Sequence, residues 1–98
     1  MMAAQMNNPI ETKQVVRLNK KYRFQWEPTQ ECYVLLYPEG MIQLNQAAGE
    51  ILQRCQNSLS IQEIISDLKK AFPDADTLAD DVLEFLAEAS AAGWVELD

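Results

Sequence analysis

The chain has 98 residues, 48% of them hydrophobic, which suits one domain with one modest core. It has no histidine, and its two cysteines, Cys32 and Cys55, form no CxxC pair, so the commonest general base and the usual zinc and iron–sulfur ligand sets are missing. The net charge of −7 is lopsided: residues 1–45 carry five basic and four acidic side chains and residues 46–98 three basic and eleven acidic, a balance that disfavours nucleic acid and favours basic protein segments.

Met1 to Val15 is polar, has no hydrophobic period and contains Pro9, so it reads as a flexible tail ahead of a domain over residues 16–98. It lacks the apolar region of a signal peptide, and no stretch approaches the ~20 apolar residues of a membrane span. A cytoplasmic protein is expected, with both cysteines reduced and acting as small hydrophobes.

Tyr22, Phe24 and Trp26 alternate with Arg23, Gln25 and Glu27, the pattern of a strand with one aromatic face. Pro28 to Glu31 is a turn. Cys32 to Tyr37 follows as a strand that is apolar on both faces. Pro38-Glu39-Gly40 makes a tight turn, with Gly40 expected to supply a positive φ. Met41 to Leu44 is shorter and half polar, as an edge strand would be. The short connections predict an antiparallel meander.

Asn45 then caps a helix over Gln46–Cys55, whose buried face is Ala48, Ile51, Leu52 and Cys55. Gly49 weakens that helix by roughly 1 kcal/mol relative to Ala, unless a close approach needs it. Ser60-Ile-Gln-Glu63 fits a capping box, and Ile61, Ile64, Ile65, Leu68 and Phe72 make the next buried stripe before Pro73. The third helix starts at Asp76 or Thr77 and stops before Gly93. Leu78, Val82, Phe85 and Ala89 form its main apolar stripe, and Leu83, Leu86 and Ser90 an adjacent strip, opposite Asp80, Asp81, Glu84 and Glu88. That apolar arc is wider than one packing face needs, which leaves surface for a partner. Trp94 to Leu97 is a short extended piece, either paired back on the sheet or laid over the core. The elements add up to an α+β domain: a three-stranded antiparallel sheet followed by three helices, winged-helix-like.

No glycine-rich phosphate loop or nucleophile elbow is present. The carboxylates of the third helix sit at the spacing of a solvated face. The chain is therefore expected to have no catalytic residue, no metal site and no cofactor, and to bind rather than react.

Tyr33-Val-Leu-Leu-Tyr-Pro-Glu-Gly-Met41, then Leu44-Asn45 with Ala48 and Ile51-Leu52, and the Phe85-Leu86 to Gly93-Trp94 ending resemble the pyrroloquinoline quinone biosynthesis protein D (PqqD) family. The similarity runs from about Arg17 to Leu97. It implies a peptide chaperone, a recognition element for a ribosomally made precursor peptide (PqqA-like), which it presents to a radical S-adenosylmethionine enzyme (PqqE-like). It also implies that the peptide adds as a strand in the groove between the third strand and the third helix. Carried onto this sequence, the peptide-binding residues are Met41, Ile42, Gln43 and Leu44 on the strand, and Leu83, Leu86, Ala87 and Ser90 on the helix.

Two other readings use the same elements. A DNA-binding winged helix would present the third helix to phosphates, but between Thr77 and Gly93 that helix has four carboxylates and no Lys or Arg. A structural or adaptor subunit of another peptide-modifying complex is compatible with every residue. An exposed edge strand suits a monomer or a dimer equally.

Overall fold

The structure, a computed structural model, describes residues 12–98. The meander forms as the alternation predicts: β2 (Arg23–Glu27), β3 (Cys32–Tyr37) and β4 (Gly40–Gln43) pair antiparallel in the order β2-β3-β4. Leu35 stands opposite Phe24 on one side and Ile42 on the other, so the three share the face turned to the helices. Val34 and Leu35 are both fully buried, which is why β3 is apolar on both faces. The turn after β3 closes on Pro38 and Glu39, with Gly40 paired to Tyr37. Gly40 does not take the positive φ expected of it; among the described residues Glu31, Ser58 and Gly93 do.

Three helices follow: α1 (Gln46–Cys55), α2 (Ile61–Ala71) and α3 (Leu78–Ala91). Asn45 caps α1 by accepting from the Ala48 N–H at 2.8 Å. The Ser60–Glu63 capping box is complete at the start of α2. α3 ends in a Schellman arrangement: Gly93, at φ +85°, donates to Ser90 O at 3.0 Å, and Trp94 donates to Ala89 O at 2.9 Å. This turn lays Trp94 beside Phe85, with ring centroids 6.4 Å apart, and launches β5 (Val95–Leu97).

β5 does not join the meander. It pairs with β1 (Val16–Leu18) in a separate two-stranded sheet, which the sequence pattern did not reveal. Just before β1, Gln14 O and Thr12 O accept from the Ile61 and Gln62 N–H groups, both at 2.9 Å, and so satisfy donors at the open end of α2. Val15 bridges to Ser60, and Val16 is fully buried. Hydrogen-bonded structure therefore begins ahead of Val16, inside the segment expected to be a tail. The rest of that expected tail, residues 1–11, lies outside the described residues.

The core sits between the meander and the helices, around Leu35, Leu52, Ile61, Ile64, Leu68 and Leu86. Gly49 is needed for close approach: a Cβ there would stand 2.8 Å from the Tyr33 ring. That ring is itself held, stacked 4.6 Å from Phe24 and edge-on to Trp26 at 5.0 Å. Arg54 ties α1 to α2, with Nη1 on Glu50 at 2.9 Å and Nε on Asp67 at 2.5 Å. Burial alone would lower its pKa, but the hydrogen bonds and charges of those two carboxylates hold it above its ordinary value. Among the described residues no helix is long and apolar enough to cross a membrane.

Candidate functional site

β4 is an outer strand of its sheet, and its register decides which backbone groups remain open. Leu44 N donates to Tyr33 O at 3.0 Å. Bonded and non-bonded pairs alternate along an antiparallel ladder. Leu44, Ile42 and Gly40 therefore turn their N–H and C=O groups into β3, while Met41 and Gln43 turn theirs outward. Gly40–Gln43 contains no Pro or Lys to blunt the edge. The other edge, β2, presents Phe24 and Trp26 by the same alternation, but Arg23 and Glu27 bracket it and Pro28 follows.

Two outward residues offer about four backbone hydrogen bonds, a net gain of roughly 2–6 kcal/mol at ~0.5–1.5 each. Ordering a flexible segment costs about 2–5 kcal/mol, so backbone pairing alone gives little affinity. Burying one Leu-sized side chain adds about 1.5–3 kcal/mol and decides the balance. An apolar concavity of that size lies among the helices and reaches Gln46, three residues after the end of β4. Between the first turns of α1 and α3 and the end of α2 is a cavity of about 310 Å³ with walls of Ala47, Ile51, Phe72, Leu78 and Val82. Gln46, Glu50 and Asp81 supply its polar lining. Phe72 is 37% exposed there, although it continues the buried stripe of α2.

The sequence-predicted site residues divide into groups. Met41, 45% exposed, and Gln43, whose side-chain amide donates to Gln30 Oε1, lie on the open strand with free backbone groups. Ile42 is half-buried opposite Leu35. Leu44 is a core residue whose N–H is already committed to Tyr33. On α3, Leu86 is fully buried, because the centre of the buried arc falls between the two predicted strips and takes in Val82, Leu86 and Ala89. Its side chain cannot meet a ligand without opening the core. Leu83 and Ser90 are half-buried and Ala87 exposed, and none of the three lines the cavity beside α1. The α3 residues that do are Leu78, Asp81 and Val82. Phe72 and Leu78 were read only as core; the signal that could have flagged them is their position at the two ends of one short acidic loop.

Burial pushes the Cys55 thiol up to about 12, and it donates to Ile51 O at 3.3 Å, so it is an inert core group. Among the described residues no cluster of three or more cysteine or carboxylate side chains could hold a metal ion.

Comparison with known proteins gives the edge its context. Residues 32–95 match the family model described as coenzyme PQQ synthesis protein D. A relative from Azotobacter vinelandii is 47% identical over 85% of this chain and 90% of its own length. The chain belongs to the PqqD family. That relative is named PqqA binding protein, as is one from Pseudomonas aeruginosa PAO1, 45% identical over the same shares of both chains. The solution structure of the PqqD part of Methylobacterium extorquens PqqCD superposes with a TM-score of 0.72 at 25% identity, over 89% of this chain and 94% of that one. It is described as a functional, stand-alone recognition element for ribosomally synthesised and post-translationally modified peptides. The segment matched to the PqqD model runs from the start of β3 into β5, and so contains both β4 and α3.

Proposed function

We propose that this PqqD-family domain is a non-catalytic chaperone of pyrroloquinoline quinone biosynthesis. It binds the ribosomal precursor peptide as an added strand on β4 and presents it to a radical S-adenosylmethionine enzyme. The observation that carries this reading is the pair of outward-facing residues, Met41 and Gln43, on an unblunted edge. Strand addition draws affinity from main-chain bonds and specificity from pockets for alternate side chains; β4 offers the first, and the helix cavity that reaches Gln46 offers the second. The names of the relatives and the description of the Methylobacterium domain support a peptide as the ligand. Two free cysteines suit a cytoplasmic setting.

The reading moves the α3 side of the groove from Leu83, Ala87 and Ser90 to the flank that carries Leu78, Asp81 and Val82. Calorimetry with the precursor peptide tests this, with circular dichroism as the folding control. Leu78→Asp should weaken binding by ~1–3 kcal/mol, the cost of placing an unpaired charge where an apolar side chain docks. Leu83→Asp should change it little. The reverse ranking in two folded proteins would put the peptide on the other flank of α3, and no binding by the unaltered protein would refute the function.

A further inference from the structure

The first half of α1 has a second concavity on its other side. Ala47 and Ile51 face the cavity shared with α2 and α3, whereas Gly49 lies against Tyr33 and the sheet. On that second flank a cavity of about 390 Å³ is walled by Trp26, Tyr33 and Leu44, with Glu31 and Glu50 supplying carboxylates. No Lys or Arg lines it. Trp26 is 48% exposed, the most exposed large apolar side chain among the described residues, and it lies outside the core cluster. Tyr33 fixes its orientation through an edge-on contact at 5.0 Å. Glu50 is partly neutralised by Arg54, but Glu31 makes no ion pair among the described residues.

An exposed indole, fixed in place beside an unpaired carboxylate, suits a planar cation. Guanidinium stacks on an aromatic face and hydrogen-bonds carboxylates with its remaining N–H groups, which a compact ammonium does less well. The acidic excess of residues 46–98 would draw such a group in. We infer that the Trp26 cavity takes an arginine side chain from a second protein, docked while the edge of β4 is occupied. The two cavities share Gln46 and Glu50 of α1, but their apolar walls have no residue in common, so an arginine stacked on Trp26 leaves the wall of Ile51, Phe72, Leu78 and Val82 open. A domain that hands a peptide on needs such a second contact, yet the inference rests on the cavity itself and stands apart from the assignment of the peptide.

The test uses the full chain labelled with nitrogen-15 and two probes, N-acetyl-arginine methylamide and its uncharged citrulline counterpart. Arginine amide should give saturable shifts centred on the Trp26 indole, Tyr33 and Glu31, before and after saturation with precursor peptide. The citrulline probe should bind ~10-fold more weakly, and Trp26→Ala should cost a similar factor for arginine. Glu31→Gln, which leaves the aromatic wall intact, should cost ~3-fold and remove much of the salt dependence. Equal binding of the two probes, shifts centred on α3, competition with the precursor peptide, or indifference to both substitutions would overturn the proposal. Precursor-peptide affinity should be unchanged in Trp26→Ala, so failure here leaves the β4 assignment standing.

Discussion

In the helix-covered core, no buried side-chain nitrogen or oxygen among the described residues lacks a partner, Gly49 fits against a ring that cannot retreat, and Arg54 is held by two carboxylates. At β4 the N–H and C=O groups of Met41 and Gln43 face no strand among the described residues. The first region is closed and the second is open, and they meet within two adjacent residues: Ile42 turns its backbone groups into β3, and Gln43 turns its own outward. Stability and binding are thus carried by different residues even where those residues are neighbours. A substitution that moves both together would break that separation.

The largest effect is expected at Ile42. Proline there removes a donor to β3 and a side chain packed against the core, and should cost ~3 kcal/mol or more, enough to unfold a small domain. Chemical denaturation would show it, and a stable Ile42→Pro protein would mean the register is wrong.

Gly49→Ala sharpens the closed side of the comparison. Alanine favours the helix by roughly 1 kcal/mol. The new methyl would nevertheless press on Tyr33, which is fixed by Phe24 and Trp26, and overpacking of this kind costs about 1–3 kcal/mol. A net loss of ~1 kcal/mol in stability, with peptide affinity unchanged, is the expected result. A gain in melting temperature would show that the α1–sheet contact is looser than described.

Cys55 gives the closed side a signature in pH. Burial holds its thiol protonated in the folded protein up to about 12, against 9.0 for an ordinary thiol. The folded-state pKa is raised, so this contribution is fully present below about pH 9 and is lost as pH rises toward 12. In that window the unfolded thiol ionises first, at about 1.4 kcal/mol per pH unit. Cys55→Ala lacks this term. Its stability should fall less steeply than that of the unaltered protein between pH 9 and 11, and parallel curves would mean the thiol reaches water.

The smallest effect on stability is expected at Gln43, and it belongs to the open side. Proline at an edge position whose N–H points outward is tolerated by the sheet. Gln43→Pro should keep the fold and lose about 1 kcal/mol of precursor binding with the lost donor. Calorimetry beside a denaturation curve separates the two, and full affinity in a folded Gln43→Pro protein would place the peptide elsewhere.

Much of this was legible in the sequence because it is local. The alternation of β2, the Pro38 turn, the Asn45 cap and the Ser60–Glu63 box each fit in a few residues, and all three helices formed where their periodicity put them. β1 was missed because three residues are too few to show a period and because its partner, β5, lies at the far end of the chain. The burial of Leu86 was missed for a related reason. Periodicity gives the width of an apolar arc but not its centre, and the centre decides that Leu86 is core and that Leu78 borders a cavity. Trp26 packs edge-on against Tyr33, as the aromatic face of β2 suggests, yet near the end of the strand it stays 48% exposed, which alternation does not reveal.

Residue-resolved hydrogen exchange, with and without the precursor peptide, tests the central claim most directly. Without peptide, the Ile42 and Leu44 amides should be protected, while Met41 and Gln43 exchange quickly, as do Phe24 and Trp26 on the opposite edge. Saturation with peptide should slow Met41 and Gln43 by ~10-fold or more and leave Phe24 and Trp26 as they were. Protection that appears at Phe24 and Trp26, with Met41 and Gln43 unchanged, would contradict the assignment of β4 as the peptide-binding edge.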